Sequence, residues 1–512
     1  MSGIILVILS ALMLGLSRLP LHTGWLGFVS FIPLLYYFDK CRHTGFELFR
    51  AAFVFSAVSL ILWMHWIWGV TSGGFVGIIL LYTIYYFMVF GAVQLIWQKL
   101  PKLKYLGFIL VFLSLEYLQN LGEFRFPWTN LGYALSDYTV LIQAADLGGV
   151  SLISFFLLLV NVFFYLALQK KKQYLIGIAA LLIVWTGYGI WCLKTIQLSK
   201  TDSKIAIMQP SIPQVEKWET EHFDELYQRY QGLTRQAARD SAQLLIWPEA
   251  AMPAYILRDP GYLPLVQNLC DDNKMDIFTG FPDVLPAPAD YPGGAYYFNA
   301  ATLFKPFRRY DDPYYKMILV PVGERMPLLN YLPFMWKLQF GQANWEYGTK
   351  CKYFTSGKVT FSPQICFEIA FSELNRKMAF RNLGEGRLSA KSKPDKIDFL
   401  VNITNDAWFG KSSGPWIHGM MTKFRAVENR IQIYRSANTG ISMVVDPLGR
   451  VISKTGLFEI TLLKSPLYHS AKIPLYYWLY GWTRLVCLFT IVLLLYALFR
   501  RNKTILKARG QL

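Results

Sequence analysis

Long apolar runs are the feature that most constrains this chain, because about 20 apolar residues in a helix can cross the ~30 Å hydrocarbon core of a bilayer. They lie at residues 3–17, 24–38, 51–70, 75–97, 105–121, 149–168, 174–192 and 478–499. Charged residues make up 16% of the chain, against about 25% in soluble proteins. We therefore predict an integral membrane helical bundle of eight transmembrane helices. The first run lacks a basic start and a small-residue cleavage site, so we expect a retained anchor.

The net charge of +18 lies mainly in the short loops on one side of these runs. With a cytoplasmic N-terminus, the cytoplasmic segments hold fourteen basic residues against two acidic ones, which is +12 of the total. The basic residues are Lys40, Arg42, Arg50, Lys99, Lys102, Lys104, Lys170, Lys171, Lys172, Arg500, Arg501, Lys503, Lys507 and Arg509, opposed by Asp39 and Glu47. Short loops rich in Lys and Arg stay in the cytoplasm. The basicity is therefore a topology signal, and we expect no nucleic-acid partner.

The segment after the seventh run has a different pattern, in which short β-rich stretches alternate with helical ones. They are Ile205–Pro210, Leu244–Trp247, Ile277–Phe281, Tyr296–Phe304, Thr360–Ile365 and Phe399–Ile403, with helical patterns at Glu219–Asp240 and Pro415–Arg430. This alternation predicts a layered α/β domain. We divide the chain into a membrane domain of seven transmembrane helices (1–199), an extracytoplasmic domain (200–470), and an eighth transmembrane helix with a basic cytoplasmic tail (471–512).

Three residues of this outer segment could together perform acyl transfer. Glu249 and Cys366 each follow a predicted strand, and Lys316 lies in a loop. Each alone is more often structural, since a single Cys at a strand end is usually a small buried hydrophobe. Together they supply a base, a cation for the developing oxyanion, and a nucleophile. The six cysteines contain no CxxC pair and no Cys/His cluster, so we predict neither a metal nor a cofactor, and Cys270 and Cys351 are expected to be free thiols.

The residues around these three form several motifs in a fixed order. They are Trp247-Pro248-Glu249, Tyr315-Lys316, Leu319-Val320-Pro321-Val322-Gly323-Glu324, Ile365-Cys366-Phe367-Glu368, Asn402-Ile403-Thr404-Asn405-Asp406-Ala407-Trp408-Phe409-Gly410 and, in the membrane half, Phe126-Pro127-Trp128 with Asn130-Leu131-Gly132-Tyr133. This order resembles the nitrilase (carbon–nitrogen hydrolase) superfamily and, within it, the apolipoprotein N-acyltransferase family. The resemblance covers nearly the whole chain.

The resemblance implies roles for the residues of the site. Glu249 would be the general base, Lys316 the oxyanion stabiliser and Cys366 the nucleophile, and Glu324 and Glu368 would support them. The outer domain would be an αββα sandwich. One residue departs from the family pattern, since Phe367 follows the nucleophile where the family often has Tyr, and any hydrogen bond of that hydroxyl is absent here.

The resemblance also implies a two-step, ping-pong reaction. Cys366 would take an acyl chain from a phospholipid, expected to be phosphatidylethanolamine, as a thioester. The amine of an N-terminal diacylglyceryl-cysteine on an apolipoprotein would then accept that chain. The expected setting is the bacterial inner membrane, with the catalytic domain in the periplasm, both termini in the cytoplasm, and the protein a monomer.

An apolar stretch follows Glu324 and could contact lipid. We select Leu332, Phe334 and Trp336 in it, together with Trp408, as candidate substrate-binding residues. Exposed apolar patches on a membrane-tethered domain mark lipid contact, and the alternative is a loop packed on the domain core. Three further residues have ordinary explanations. Glu116 should face the interior of the helical bundle, and Asp406 and His418 are not expected to be catalytic.

Two other functions are compatible with parts of the sequence. A membrane-anchored amidase could use the same three residues, but it would need one anchor and no apolar stretch beside the site. A transporter with a receptor domain would need ionisable sites or repeats in the spans. Glu116 alone fits that pattern, and no internal repeat is visible.

The charge asymmetry gives a direct test of topology. We expect a reporter fused after Lys172 to be cytoplasmic and one fused after Lys200 to be extracytoplasmic. Paired alkaline phosphatase and fluorescent-protein fusions measure this, and two fusions on the same side would contradict the seven crossings.

Overall fold

The computed structural model describes residues 3–40, 42–214, 217, 223–337, 344–387 and 393–500. The first part is helical. Its helices are α1 (Gly3–Leu16), α2 (Ile32–Lys40), α3 (Gly45–Met64), α4 (Ile67–Val70), α5 (Ser72–Lys99), α6 (Lys104–Leu118), α7 (Thr139–Ile142), α8 (Ala145–Gly148), α9 (Val150–Leu168) and α10 (Gln173–Thr195). The tail from Arg501 onward, which holds four of the basic residues counted above, lies outside the described residues.

Five helical segments of the described chain are long and apolar enough to cross a membrane. They are α3, α5, α9, α10 and Tyr476–Phe499. The other three predicted runs form shorter helices: α1 has 14 residues and α6 has 15, and the run at 24–38 divides into the 3-10 turn Gly24–Phe28 and the nine-residue α2. At 1.5 Å per residue, α1 extends about 21 Å. The structure supports a multi-pass helical membrane protein, and the count of eight spans stays a prediction.

The domain that follows α10, which we call the outer domain after its predicted location, contains two six-stranded sheets. The strands are β1 (Ser199–Gln209), β2 (Leu244–Ile246), β3 (Asp276–Pro286), β4 (Ala295–Phe304), β5 (Tyr314–Tyr315), β6 (Phe354–Ser356), β7 (Val359–Ile365), β8 (Phe399–Thr404), β9 (Gln432–Ala437), β10 (Met443–Val445), β11 (Val451–Lys454) and β12 (Thr461–His469). Their orders are β12-β1-β2-β3-β4-β5 and β11-β10-β9-β8-β7-β6. In the centre of each sheet three strands are parallel, β1-β2-β3 and β7-β8-β9.

Helices cover the outer faces of the two sheets. The remaining helices are α11 (Phe223–Arg239), α12 (Tyr262–Asn273), α13 (Ser372–Ala379), α14 (Arg381–Gly384), α15 (Gly414–Asn429), α16 (Tyr476–Leu479) and α17 (Trp482–Phe499). Helices α11 and α12 contact the first sheet, α13 and α15 contact the second, and the sheets face each other through β1 with β9 and β4 with β7. This arrangement confirms the predicted layered α/β domain.

Six of the strands and two of the helices were predicted from the sequence pattern. They are β1, β2, β3, β4, β7, β8, α11 and α15. Strand β9 was not predicted, because Gln432, Arg435 and Ser436 interrupt its apolar pattern. All six of its residues are nevertheless buried. Their polar groups are paired across the core, so polarity here does not indicate a surface loop.

Buried polar contacts join the outer domain to the membrane half. Arg430 donates two hydrogen bonds to one carboxylate oxygen of Asp146, at 3.0 and 2.7 Å, and a third to Gln143 at 2.7 Å. The backbone N–H of Val150 donates to Glu428 at 2.8 Å. Arg430, Asp146 and Glu428 are all buried. The end of α15 is therefore fixed to the segment that precedes α9.

Breaking the Arg430–Asp146 pair should destabilise the whole protein. We expect Asp146→Asn to cost about 3–5 kcal/mol, because it leaves a buried guanidinium without its counter-charge. The measurement is thermal unfolding of the purified protein in detergent. Glu373→Gln is the control, since it breaks an exposed pair with Lys377 and should change stability by less than about 1 kcal/mol. Equal effects of the two changes would contradict this account.

Candidate active site

The ends of three strands supply the three predicted residues. Lys316 directly follows β5, and Glu249 comes three residues after β2, so the first sheet provides both charges. Cys366 directly follows β7 in the second sheet. The structure brings Lys316 Nζ to 3.6 Å from Glu249 Oε1. The site thus lies between the two facing sheets, beyond the ends of β2, β5 and β7.

Glu249 is buried and has donors on both carboxylate oxygens. Asn299 Nδ2 donates to Oε1 at 2.7 Å, and the backbone N–H of Asn405 donates to Oε2 at 2.8 Å. Lys217 donates to the backbone carbonyl of Glu249 at 3.2 Å, and burial lowers the pKa of Lys217 to about 8. These contacts hold the carboxylate in one orientation toward Lys316.

Lys316 is completely buried between two carboxylates. Its Nζ donates to Glu324 Oε1 at 2.7 Å, in addition to its ion pair with Glu249. Burial lowers the pKa of Lys316, but the charges of Glu324 and Glu249 outweigh it and hold that pKa above its ordinary value. The ammonium is therefore a permanent cation, which is the property an oxyanion stabiliser needs.

Cys366 occupies a turn with unusual backbone geometry. Its φ is +52°, in the left-handed region, and it begins the 3-10 turn Cys366–Ala370. The residue is partly exposed. Burial of the sulfur and the nearby Glu249 carboxylate raise the pKa of the Cys366 thiol, and Lys316 lowers it only in part. The resting sulfur is thus protonated, and its reaction as a nucleophile requires a base.

Glu368 ties the Lys316 loop to the Cys366 turn. Its carboxylate accepts hydrogen bonds from the Tyr314 hydroxyl and the Met317 N–H, both at 2.7 Å, and from the Ile365 N–H at 2.7 Å. Burial raises the pKa of Glu368 to about 7. Tyr314 and Met317 lie close to Lys316 in the chain, and Ile365 directly precedes Cys366. Because Glu368 binds all three, it holds the two loops at a fixed separation.

Phe367 packs into an aromatic cluster shared with the membrane half. Its ring centroid lies 5.7 Å from Phe126, 6.5 Å from Trp128 and 5.0 Å from Phe371. Phe126 and Trp128 belong to one of the motifs found in the sequence. The ring at this position is therefore surrounded by other rings, and it links the Cys366 turn to the membrane half.

The candidate lipid-contact residues lie in different environments. Phe334 is 59% exposed, Leu332 37% and Trp408 38%. Trp336 instead packs on Tyr291, with ring centroids 5.3 Å apart. Leu338, farther along the same apolar stretch, lies outside the described residues. Leu332, Phe334 and Trp408 are thus exposed at the protein surface, and their contact with lipid stays a prediction.

Several residues of the site were not identified from the sequence. Asn299 lies within β4, where nothing in the pattern distinguishes it, and it bridges Glu249 and Glu324 at 2.7 and 3.3 Å. Lys217 and the backbone of Asn405 also contact Glu249. Asn405 follows a strand in one of the motifs, which was the available signal. Within the described ranges no group of His, Cys, Asp and Glu side chains is arranged to hold a metal ion.

Two family models match this chain. "Apolipoprotein N-acyltransferase N-terminal domain" matches residues 10–163, and "Carbon-nitrogen hydrolase" matches residues 204–467. Curated relatives named apolipoprotein N-acyltransferase cover most of it. The one from Geobacter metallireducens is 31% identical, covering 90% of this chain and 88% of that protein. The one from Chlorobaculum tepidum is 30% identical, covering 92% of each. The one from Rickettsia prowazekii is 31% identical, covering 78% and 77%.

Solved structures give a weaker likeness. An amidase from Nesterenkonia sp. is 18% identical and covers 53% of this chain and 92% of its own, with a TM-score of 0.37. At that score the likeness adds nothing to the argument from the family models.

The electrostatics of the site predict opposite effects on the reactivity of Cys366. The rate of alkylation by iodoacetamide follows the equilibrium fraction of thiolate, because bulk solvent can take the proton of the partly exposed Cys366 thiol without Glu249. Glu249→Gln removes the carboxylate that raises the thiol pKa, so alkylation of Cys366 at pH 8 should become faster. Lys316→Met removes the cation that lowers the thiol pKa, so alkylation should become slower. Mass spectrometry of the Cys366 peptide measures both rates, and a change in the same direction in both variants would contradict the assignment.

Proposed function

The chain belongs to the apolipoprotein N-acyltransferase family of carbon–nitrogen hydrolases, and we propose that it transfers an acyl chain from a phospholipid to the N-terminal amine of an apolipoprotein. The observation that carries the proposal is the buried Lys316 ammonium, 2.7 Å from Glu324 and 3.6 Å from Glu249. Together with the Cys366 thiol, this ammonium and the Glu249 carboxylate supply the nucleophile, the cation and the base that two-step acyl transfer needs. Glu249, Lys316 and Cys366 act as base, oxyanion stabiliser and nucleophile.

In the first step Glu249 takes the proton of the Cys366 thiol, and the sulfur attacks an ester carbonyl of the phospholipid. The negative charge that develops on the carbonyl oxygen is stabilised by Lys316, whose charge is already fixed before substrate binds. Collapse of the tetrahedral intermediate breaks the C–O bond. The lysophospholipid leaves with the proton held by Glu249, and the acyl chain remains on Cys366 as a thioester.

In the second step the free amine of the acceptor attacks the thioester carbonyl. Glu249 accepts a proton from the amine, and the sulfur leaves and recovers that proton as a thiol. The product is an amide, and the enzyme returns to its starting state. An amine is a stronger nucleophile than water toward a thioester, so transfer outruns hydrolysis when the site excludes water. The acceptor is a diacylglyceryl-cysteine at an apolipoprotein N-terminus.

The setting proposed for this reaction is the bacterial inner membrane. We propose eight spans, with the catalytic domain in the periplasm and both termini in the cytoplasm. The charge asymmetry of the loops and five long apolar helices support this arrangement. We further propose that phosphatidylethanolamine is the donor and that the protein acts as a monomer without a cofactor.

Lipid reaches the site beside exposed apolar residues. We propose that Leu332, Phe334, Trp336 and Trp408 contact the acyl chains of the donor. Phe334 and Leu332 follow Glu324 in the chain and are exposed, which supports this role. Burial of exposed apolar side chains in a nearby lipid surface is favourable.

The amidase alternative has no support from the relatives described above, which carry the acyltransferase name. A small-amide hydrolase would also have no use for the aromatic cluster that joins Phe367 to the membrane half.

A trapped intermediate tests the proposed mechanism. Protein given phosphatidylethanolamine without an amine acceptor should gain the mass of one acyl chain on Cys366, since the second step lacks its substrate. Intact-protein and peptide mass spectrometry measure the adduct. A diacylglyceryl peptide with a free amine should remove it, and the same peptide with an acetylated amine should not.

Two variants serve as controls for that experiment. Cys366→Ala should acquire no acyl chain. Glu249→Gln should slow acylation by about 10²–10⁴-fold, which is the usual contribution of a positioned general base. An adduct on another residue of the wild-type protein, or full transfer by Cys366→Ala, would refute the mechanism.

A further inference from the structure

The backbone of Cys366 needs an external support. A residue other than glycine with φ near +52° is held there by its surroundings, because the left-handed conformation is unfavourable for L residues. The position of the sulfur relative to Lys316 depends on this conformation. The contacts of the Cys366 peptide group therefore bear directly on reactivity.

The backbone carbonyl of Cys366 accepts hydrogen bonds from two buried side chains. His418 Nε2 lies 3.2 Å from the carbonyl oxygen, and Asn402 Nδ2 lies 3.4 Å from it. A carbonyl oxygen can only accept, so Nε2 of His418 carries a proton and donates it. The imidazole is completely buried.

The second ring nitrogen of His418, Nδ1, contacts a buried ion pair. His418 Nδ1 lies 2.9 Å from Asp406 Oδ1 and 3.0 Å from Arg435. Asp406 also accepts from Arg435 at 2.7 Å and from Thr404 at 2.8 Å. Although burial raises the pKa of Asp406, Arg435 and His418 lower it to about 2. The carboxylate is therefore charged at neutral pH and keeps its partners in place.

An aromatic ring of the membrane half completes the enclosure. Trp128 stacks on His418 with ring centroids 5.4 Å apart and an interplanar angle of 23°. The same tryptophan neighbours Phe367. The imidazole is thus fixed by hydrogen bonds in its plane and by packing on its face, as expected of a group that holds another group in position.

We propose that His418 is a positioning residue, which orients the nucleophile by holding the carbonyl of Cys366. The peptide group between Cys366 and Phe367 is planar and trans. Fixing its carbonyl therefore also fixes the direction of the Phe367 N–H, which points the opposite way. This proposal deepens the function proposed above and rests on it.

His418 does not act as a second base in this geometry. Nε2 donates to the Cys366 carbonyl, and Nδ1 lies between Asp406 and Arg435. Both ring nitrogens are engaged, so neither is available to take a proton from the sulfur. From the sequence we expected His418 to have an ordinary structural role, and its contact with the carbonyl of Cys366 itself distinguishes it from other buried histidines.

Two substitutions of similar size separate positioning from packing. His418→Gln keeps an N–H donor, and His418→Met has none. Single-turnover acylation of Cys366 by phosphatidylethanolamine should slow by about 10–100-fold in His418→Met, since small misplacements of reacting groups cost that much. KM for the phospholipid should stay unchanged, and His418→Gln should recover most of the rate. His469→Met is the control, because His469 lies at the end of β12, and it should acylate normally.

Alkylation of Cys366 by iodoacetamide provides a readout that needs no lipid. We expect the alkylation rate of His418→Met to differ from wild type several-fold and that of His418→Gln to lie close to wild type. A wild-type protein that never acquires an acyl chain would refute the proposed function, and the alkylation rates would still decide the role of His418.

Two results would overturn the role of His418. One is acylation and alkylation of folded His418→Met at wild-type rates. The other is an equal loss in the Gln and Met variants, which would mean that the imidazole acts only as packing. If His418→Met does not fold, Thr404→Val removes one hydrogen bond from Asp406 and should slow acylation with KM unchanged. Wild-type acylation by Thr404→Val would then count against the proposal.

Discussion

The pairing of one buried ammonium with two carboxylates determines the rest of this site. Removing a charge from water costs several kcal/mol unless partners compensate for it, typically about 3–5 kcal/mol when one partner of a buried pair is lost. Lys316 has Glu324 at 2.7 Å and Glu249 at 3.6 Å, and the two carboxylates are in turn held by Asn299 and by backbone N–H groups. The charges of the site are therefore preorganised in the folded domain, and the proposed mechanism uses the same arrangement to stabilise an oxyanion without reorganisation.

Cys366, the proposed nucleophile, follows a strand of the opposite sheet and is held by a separate set of contacts. Glu368 joins its turn to the Lys316 loop, and His418 with Asn402 holds its carbonyl. Phe367 and His418 both pack against rings of the membrane half. The turn that carries Cys366 thus receives contacts from both sheets and from the helical bundle. A substrate that arrives from the lipid phase would meet the nucleophile at this junction.

The sequence was sufficient to predict those strands and site residues that depend only on their neighbours in the chain. Glu249, Lys316 and Cys366 could be found because each lies within three residues of a strand end in a recognisable motif, and β1 to β4 have clear apolar patterns. The partners of the site could not be found, since they come together only on folding; the N–H of Asn405 is 156 positions from Glu249. The role proposed for His418 depends on a carbonyl 52 residues away, which the sequence alone does not reveal. The length of each span was also unclear, because a short 3-10 turn divides an apolar run that looks continuous in the sequence.

The proposed mechanism requires Lys316 to face the carbonyl oxygen of an acyl group carried by Cys366. An experimental structure of the protein trapped with a phospholipid-derived acyl chain would show this arrangement. We expect a covalent bond between the chain and Cys366 Sγ, with the thioester oxygen within hydrogen-bonding distance of Lys316 Nζ, about 2.7–3.2 Å, and Glu249 beside the sulfur. An acyl chain on another residue, or a thioester oxygen directed away from Lys316, would contradict it.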